Sequence, residues 1–139
     1  MTQAPLLDTH IWLWWLLGDS RLTPEEGQML DGFPIENRPA LSAISLWELA
    51  MLVELGRVEL DLPLKDFLPG ACSPETVHLI PLKADVVVEM NTLPSSFHRD
   101  PADRLIVASA RVEGRSLATH DRKIRESKLV RLWHPGVSP

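Results

Sequence analysis

The chain has 139 residues, 14 basic and 19 acidic side chains for a formal net charge of -5, and 45% hydrophobic against 24% charged residues. Residues 1–139 fit one domain of ~100 to 200 residues that buries roughly two-thirds of its unfolded surface. This composition excludes a disordered chain, a collagen and a disulfide scaffold, and the negative charge works against a passive nucleic-acid coat.

In chain order, Pro5-Leu6-Leu7 reads as a short strand closed by a turn at Asp8-Thr9-His10. Ile11 to Leu17 follows as a helix apolar on every face, ending at Gly18. This is the longest apolar run and falls far short of the ~20 residues a membrane helix needs. Cys72 is the single cysteine and no Cys/His cluster has zinc spacing, so a cytoplasmic protein without a membrane segment is expected. Thr23-Pro24-Glu25-Glu26 supplies an N-cap, a first-turn proline and two early acids, which predicts a second helix to about Asp31.

Pro39 to Ile44 reads as a buried strand, and Ser45 starts a helix through Val53, with Gly56 as a C-cap. A short helix at Leu64 to Leu68, a loop and a strand at Thr76 to Ile80 fill the proline-rich middle. Lys83 to Leu93 has apolar residues at helical spacing, ahead of a loop from Pro94 to Arg99. Asp100-Pro101-Ala102-Asp103 opens a strong helix through Gly114, Ser116 to Thr119 is a strand, Asp121 begins a charged segment, and Leu129 to Trp133 is a last strand before a proline-bearing tail. Strands alternating with helices predict a three-layer α/β/α fold around a mostly parallel sheet.

Asp8 and Asp121 follow predicted strands, and ligands of open α/β sheets bind at the strands' carboxyl ends. Asp103 and Glu48 lie early in helices that right-handed crossovers return to the same edge. Four converging carboxylates repel one another unless protons or a cation neutralise them. Hard oxygen ligands select Mg²⁺ or Mn²⁺, and an ion so held activates water for attack on phosphorus. Capping is the competing explanation for Asp8, Asp121 and the Asp100-Pro101-Ala102-Asp103 run. Glu48 resists it, because it interrupts an apolar helix where burial of an unpaired carboxylate is costly. Thr9 and Thr119 sit beside the acids and can orient a carboxylate. The histidines at 10, 78, 98, 120 and 134 are scattered, with no nucleophile motif beside them, and read as surface or capping residues.

Four ordered motifs, Leu6-Leu7-Asp8-Thr9-His10, Ser42-Ala43-Ile44-Ser45-Leu46-Trp47-Glu48-Leu49, Arg99-Asp100-Pro101-Ala102-Asp103-Arg104-Leu105-Ile106-Val107-Ala108 and Ala118-Thr119-His120-Asp121, resemble a PIN-domain protein of the VapC toxin type. The resemblance spans essentially the whole chain. It implies a PIN fold, Mg²⁺- or Mn²⁺-dependent endoribonuclease activity on RNA, and neutralisation by a cognate VapB-type antitoxin. Carried over by motif, Asp8, Glu48, Asp103 and Asp121 are the catalytic and metal-binding acids, with Asp100 ranked below them as a cap. Similar proteins often carry a lysine four residues after the second acid; Leu52 stands there, leaving Arg57, Arg99 or Arg104 for phosphate contact. A catalytically silent PIN-like interaction module is the alternative. The all-apolar first helix further suggests a homodimer contact or antitoxin groove that includes Trp12, Trp14 or Trp15.

Overall fold

In the computed structural model, which describes residues 2–135, four short strands form one parallel sheet in the order β3-β2-β1-β4. They are β1 (Leu6–Leu7), β2 (Ala40–Ser42), β3 (His78–Ile80) and β4 (Leu117–Ala118), with Leu6 in register with both Ala40 and Leu117. Successive strand residues point to opposite faces, so the core divides in two. Leu7, Leu41 and Ala118 face one cluster; Leu6, Ala40, Leu117 and Ile80 face the other. Parallel strands are apolar on both faces because helices cover both.

The first face is covered by α1 (Thr9–Leu17), α2 (Pro24–Gly32), α3 (Ile44–Glu54) and α4 (Leu64–Ala71), through Ile11, Trp12, Leu30, Leu49 and Ala71. The second is covered by α6 (Pro101–Glu113) and α7 (Arg122–Ser127), with α5 (Ala84–Thr92) leading into the buried Leu93 and Phe97. No helix among the described residues is long and apolar enough to cross a membrane.

Local chemistry explains the helix ends. Thr23 and Glu26 form a reciprocal capping box on α2, and Asp100 caps α6 by accepting from the Ala102 N–H at 2.9 Å. Gly18 and Gly114 close α1 and α6 at a φ of 64°, a left-handed conformation that favours glycine.

The expected strand at Leu129 to Trp133 is not formed. Only the Leu117–Leu132 bridge survives, because two-residue β4 turns just the Leu117 N–H and C=O outward, to Arg131 and Trp133. The charged segment after Asp121 is instead a helix, α7, capped by the Asp121 carboxylate on the Ile124 N–H and anchored by Ile124. Helix α4 continues three residues past Leu68 through Pro69, since Ala71 is a core residue whose carbonyl accepts from Trp12 Nε1 at 3.0 Å. The proline-bearing tail lies outside the described residues from position 136.

Trp12 is thereby corrected. It is fully buried within the subunit and offers nothing to an interface. Trp14 and Trp15 are half-buried: Trp14 is flanked by His10, His120 and the Arg21 guanidinium, and Trp15 donates to Asp31 beneath Arg38. Helix α1 buries Ile11, Trp12 and Leu13 against β1, α3 and the first core cluster, while Trp14, Trp15 and Leu16 stay half-buried and Leu17 is exposed.

Candidate active site

Both threonines beside the acids hold carboxylates. Asp8 follows β1, caps α1 with extended backbone, and accepts from Thr119 Oγ1, one residue past β4, at 2.7 Å. Thr119 Oγ1 also accepts the Asp121 N–H at 3.0 Å, so one hydroxyl ties the β1 and β4 ends together. Across the site Thr9 Oγ1 donates to Glu48 Oε1 on α3 and meets Ser45 Oγ at 2.7 Å. Asp103 enters from the first turn of α6. The crossovers thus bring Asp8, Glu48, Asp103 and Asp121 to the carboxyl edge of the sheet.

The charges of these groups act on one another. Burial pushes the Asp8 carboxyl up, countered by the Thr119 bond and His10 and reinforced by Asp121. Burial also raises Glu48, with the Thr9 bond opposing and Asp8 and Asp100 adding to the rise. Asp103 is displaced furthest: burial first, then the charges of Asp8, Asp100, Glu48 and Asp121, push it up to about 8. Among the described residues no lysine or arginine is ion-paired with any of the five. Asp100 therefore does two things, capping α6 and adding to the field on Asp103.

His98, expected as a surface or capping residue, instead enters the acid cluster. Its Nε2 lies 2.8 Å from Asp103 Oδ2 and 3.5 Å from Asp121 Oδ2, with its side chain 15% exposed. No local signal marks it, because tertiary contacts settle the path of the loop over the first turn that carries Asp103.

The arginines sort unevenly. Leu52 packs against the core below α3. Arg104 is taken up by backbone carbonyls, those of Pro94, Leu93 and Met90 at 3.1, 3.2 and 3.3 Å among them, so its role is to staple the loop before α6. Arg57 and Arg99 remain exposed. A cavity of about 540 Å³ lies at the opposite edge, lined by Gln3, Arg38, His78 and Arg115, and none of the acids borders it.

The residues fit a divalent ion. Carboxylate oxygens dominate the donor set, which suits Mg²⁺ or Mn²⁺, and the unbalanced negative charge that lifts Asp103 is what a cation relieves.

A parallel α/β/α sheet with an acid cluster at its carboxyl edge places the protein among the PIN-type folds. Residues 6–128 match the family described as PIN domain, and the chain belongs to that family. It is 37% identical over 126 residues to Ribonuclease VapC22 of Mycobacterium tuberculosis (strain ATCC 25618 / H37Rv), covering 91% of this chain and 93% of that protein. Its fold is similar to a toxin-antitoxin complex from Klebsiella pneumoniae, with TM-score 0.66, 19% identity, and coverage of 95% of this chain and 98% of that one. VapBC2 from Rickettsia felis, solved with a promoter DNA fragment, gives TM-score 0.66 at 19% identity over 92% and 96% of the two chains. FitAB bound to the IR36 DNA fragment gives 0.68 at 20% over 94% of each. At such identities the likeness concerns the fold.

Proposed function

We propose that the protein is a divalent-ion-dependent endoribonuclease, the toxin of a type II toxin-antitoxin pair. The observation that carries this reading is the convergence of Asp8, Glu48, Asp103 and Asp121 with no lysine or arginine paired to them among the described residues, burial and neighbouring carboxylates raising the first three. The 37% identity to a named ribonuclease supports the substrate class. These four carboxylates would hold Mg²⁺ or Mn²⁺. When bound, such an ion lowers the pKa of a water, orients it toward phosphorus and offsets charge on the phosphate oxygens. The chain's own part is positional: Thr119 fixes Asp8, Thr9 fixes Glu48, and Asp103 gives up the proton that its surroundings favour. Of the three arginines considered, Arg57 and Arg99 stay exposed and are the ones left for the RNA backbone.

Partners follow the same reading. A cognate VapB-type antitoxin is supported by the fold neighbours, which include a toxin-antitoxin complex. The proposed homodimer uses exposed apolar residues rather than Trp12; Trp47 and Leu55 on and after α3 are 55% and 60% exposed. The alternative, a silent PIN-like module, is disfavoured by the retention of all four acids.

Cleavage of RNA by the purified protein tests the proposal. Water attack spares the RNA 2′-hydroxyl, so fragments should carry 5′-phosphate and 3′-hydroxyl ends by mass spectrometry, and chelator or Asp8→Asn should abolish them. Cyclic 2′,3′-phosphate ends, or full activity in excess chelator, would overturn it.

A further inference from the structure

An imidazole nitrogen stands among the oxygens of this site. His98 Nε2 is 2.8 Å from Asp103 Oδ2 and 3.5 Å from Asp121 Oδ2, and one ligand atom from each residue lies within 4.8 Å of the other two. Ligands held about 2.1 Å from an octahedral ion stand about 3.0 Å apart when adjacent and about 4.2 Å apart when opposite. The observed separations fit that pattern, with the nitrogen adjacent to both carboxylates.

The ring is already placed. Arg104 staples the loop that carries it through the carbonyls of Met90, Leu93 and Pro94, and the buried Phe97 meets the imidazole edge-on at 6.1 Å. Little ordering is then left to oppose ligation. Ligation through Nε2 replaces that atom's 2.8 Å contact with Asp103 Oδ2 by a bond to the ion, leaves the ring proton on Nδ1, and gives up the 3.4 Å approach of the Asp100 N–H to Nδ1, longer than an ordinary hydrogen bond.

We propose that His98 is a ligand of the divalent ion through Nε2, and that its nitrogen gives the site a preference for Mn²⁺ over Mg²⁺. The inference rests on the acid cluster being a metal site. Carboxylates and waters serve Mg²⁺ well, whereas an imidazole adds affinity mainly for transition ions. A histidine that merely neutralises the acids would contribute no bond to the ion.

Pulsed electron paramagnetic resonance on Mn²⁺-loaded full-length protein separates the two. Wild type should show hyperfine coupling to a directly bound ¹⁴N that becomes ¹⁵N coupling when the protein is grown with ¹⁵N-histidine. His98→Ala should lose it and bind Mn²⁺ at least about tenfold more weakly, with Mg²⁺ affinity by competition changed less than about twofold. His98→Gln provides the same reading if the alanine variant does not fold. Mn²⁺ bound without nitrogen coupling, or coupling that persists in the His98 variants, would overturn the proposal and leave the acid site standing. Wild type that binds no Mn²⁺, or Asp8→Asn that binds it equally well, would overturn the underlying reading and this one with it.

Discussion

Two carboxylate–imidazole pairs of this molecule have the same geometry and opposite electrostatics. Glu26 and His120 meet at 2.8 Å with the carboxylate 13% exposed; Asp103 and His98 meet at 2.8 Å with the carboxylate 14% exposed. Burial lifts Glu26, but the bonds from His120 and the Thr23 N–H outweigh it, and its carboxyl falls below the usual value. Burial lifts Asp103 too, and four neighbouring acids carry it on to about 8. Neighbours, not the partner distance, decide the outcome. One pair closes the capping box of α2 and serves the fold; the other is held at a cost to the fold, as functional sites commonly are.

Substitutions at the two carboxylates sharpen the contrast. The largest effect is expected in catalysis: Asp8→Asn or Asp103→Asn should lose RNA cleavage on the order of a hundredfold or more, the several kcal/mol a misplaced ion forfeits. Glu26→Gln should cleave like wild type in the same assay.

Stability should move the other way. In metal-free protein, folded Asp103 keeps a proton that the unfolded chain releases near its ordinary value, so stability falls as pH rises from about 4 to 8. Asp103→Asn escapes that cost and should melt higher at pH 7 by about 4 °C for each kcal/mol gained, with the advantage shrinking toward pH 4. Saturating Mg²⁺ should flatten the wild-type pH dependence.

The smallest effect belongs to Glu26. Its depressed pKa means a contribution present above the ordinary glutamate range and lost as pH falls through the folded value. Glu26→Gln should therefore lose about 1 kcal/mol or less near pH 7 in a denaturant melt, and nothing near pH 3.

Much of this was legible in the sequence where the signal is local. Thr23-Pro24-Glu25-Glu26 and Asp100-Pro101-Ala102-Asp103 announce α2 and α6 through capping chemistry, and short apolar runs mark the four strands. Helix α7 was not legible because its only buried residue is Ile124, too few for a period. The edge segment after Ser127 has strand-like residues, but whether it pairs depends on how much edge β4 leaves open. The acids could be assigned to one edge from topology, since strand ends and crossovers are sequence features. His98 and Arg104 could not: a loop's return path over a helix start is settled by tertiary contacts, and so is the choice between phosphate and carbonyl as a guanidinium's partner. Trp12 erred for the same reason, as an all-apolar helix does not say which of its faces the rest of the chain will cover.

The account turns on a proton and an ion competing for one cluster. Calorimetric titration of metal-free protein with Mg²⁺ at pH 7, in two buffers of different ionisation enthalpy, counts the protons displaced on binding. With Asp103 at about 8, binding should release protons, and Asp103→Asn should release fewer per ion. Wild type that binds no Mg²⁺, or binds it without releasing a proton, would contradict the account.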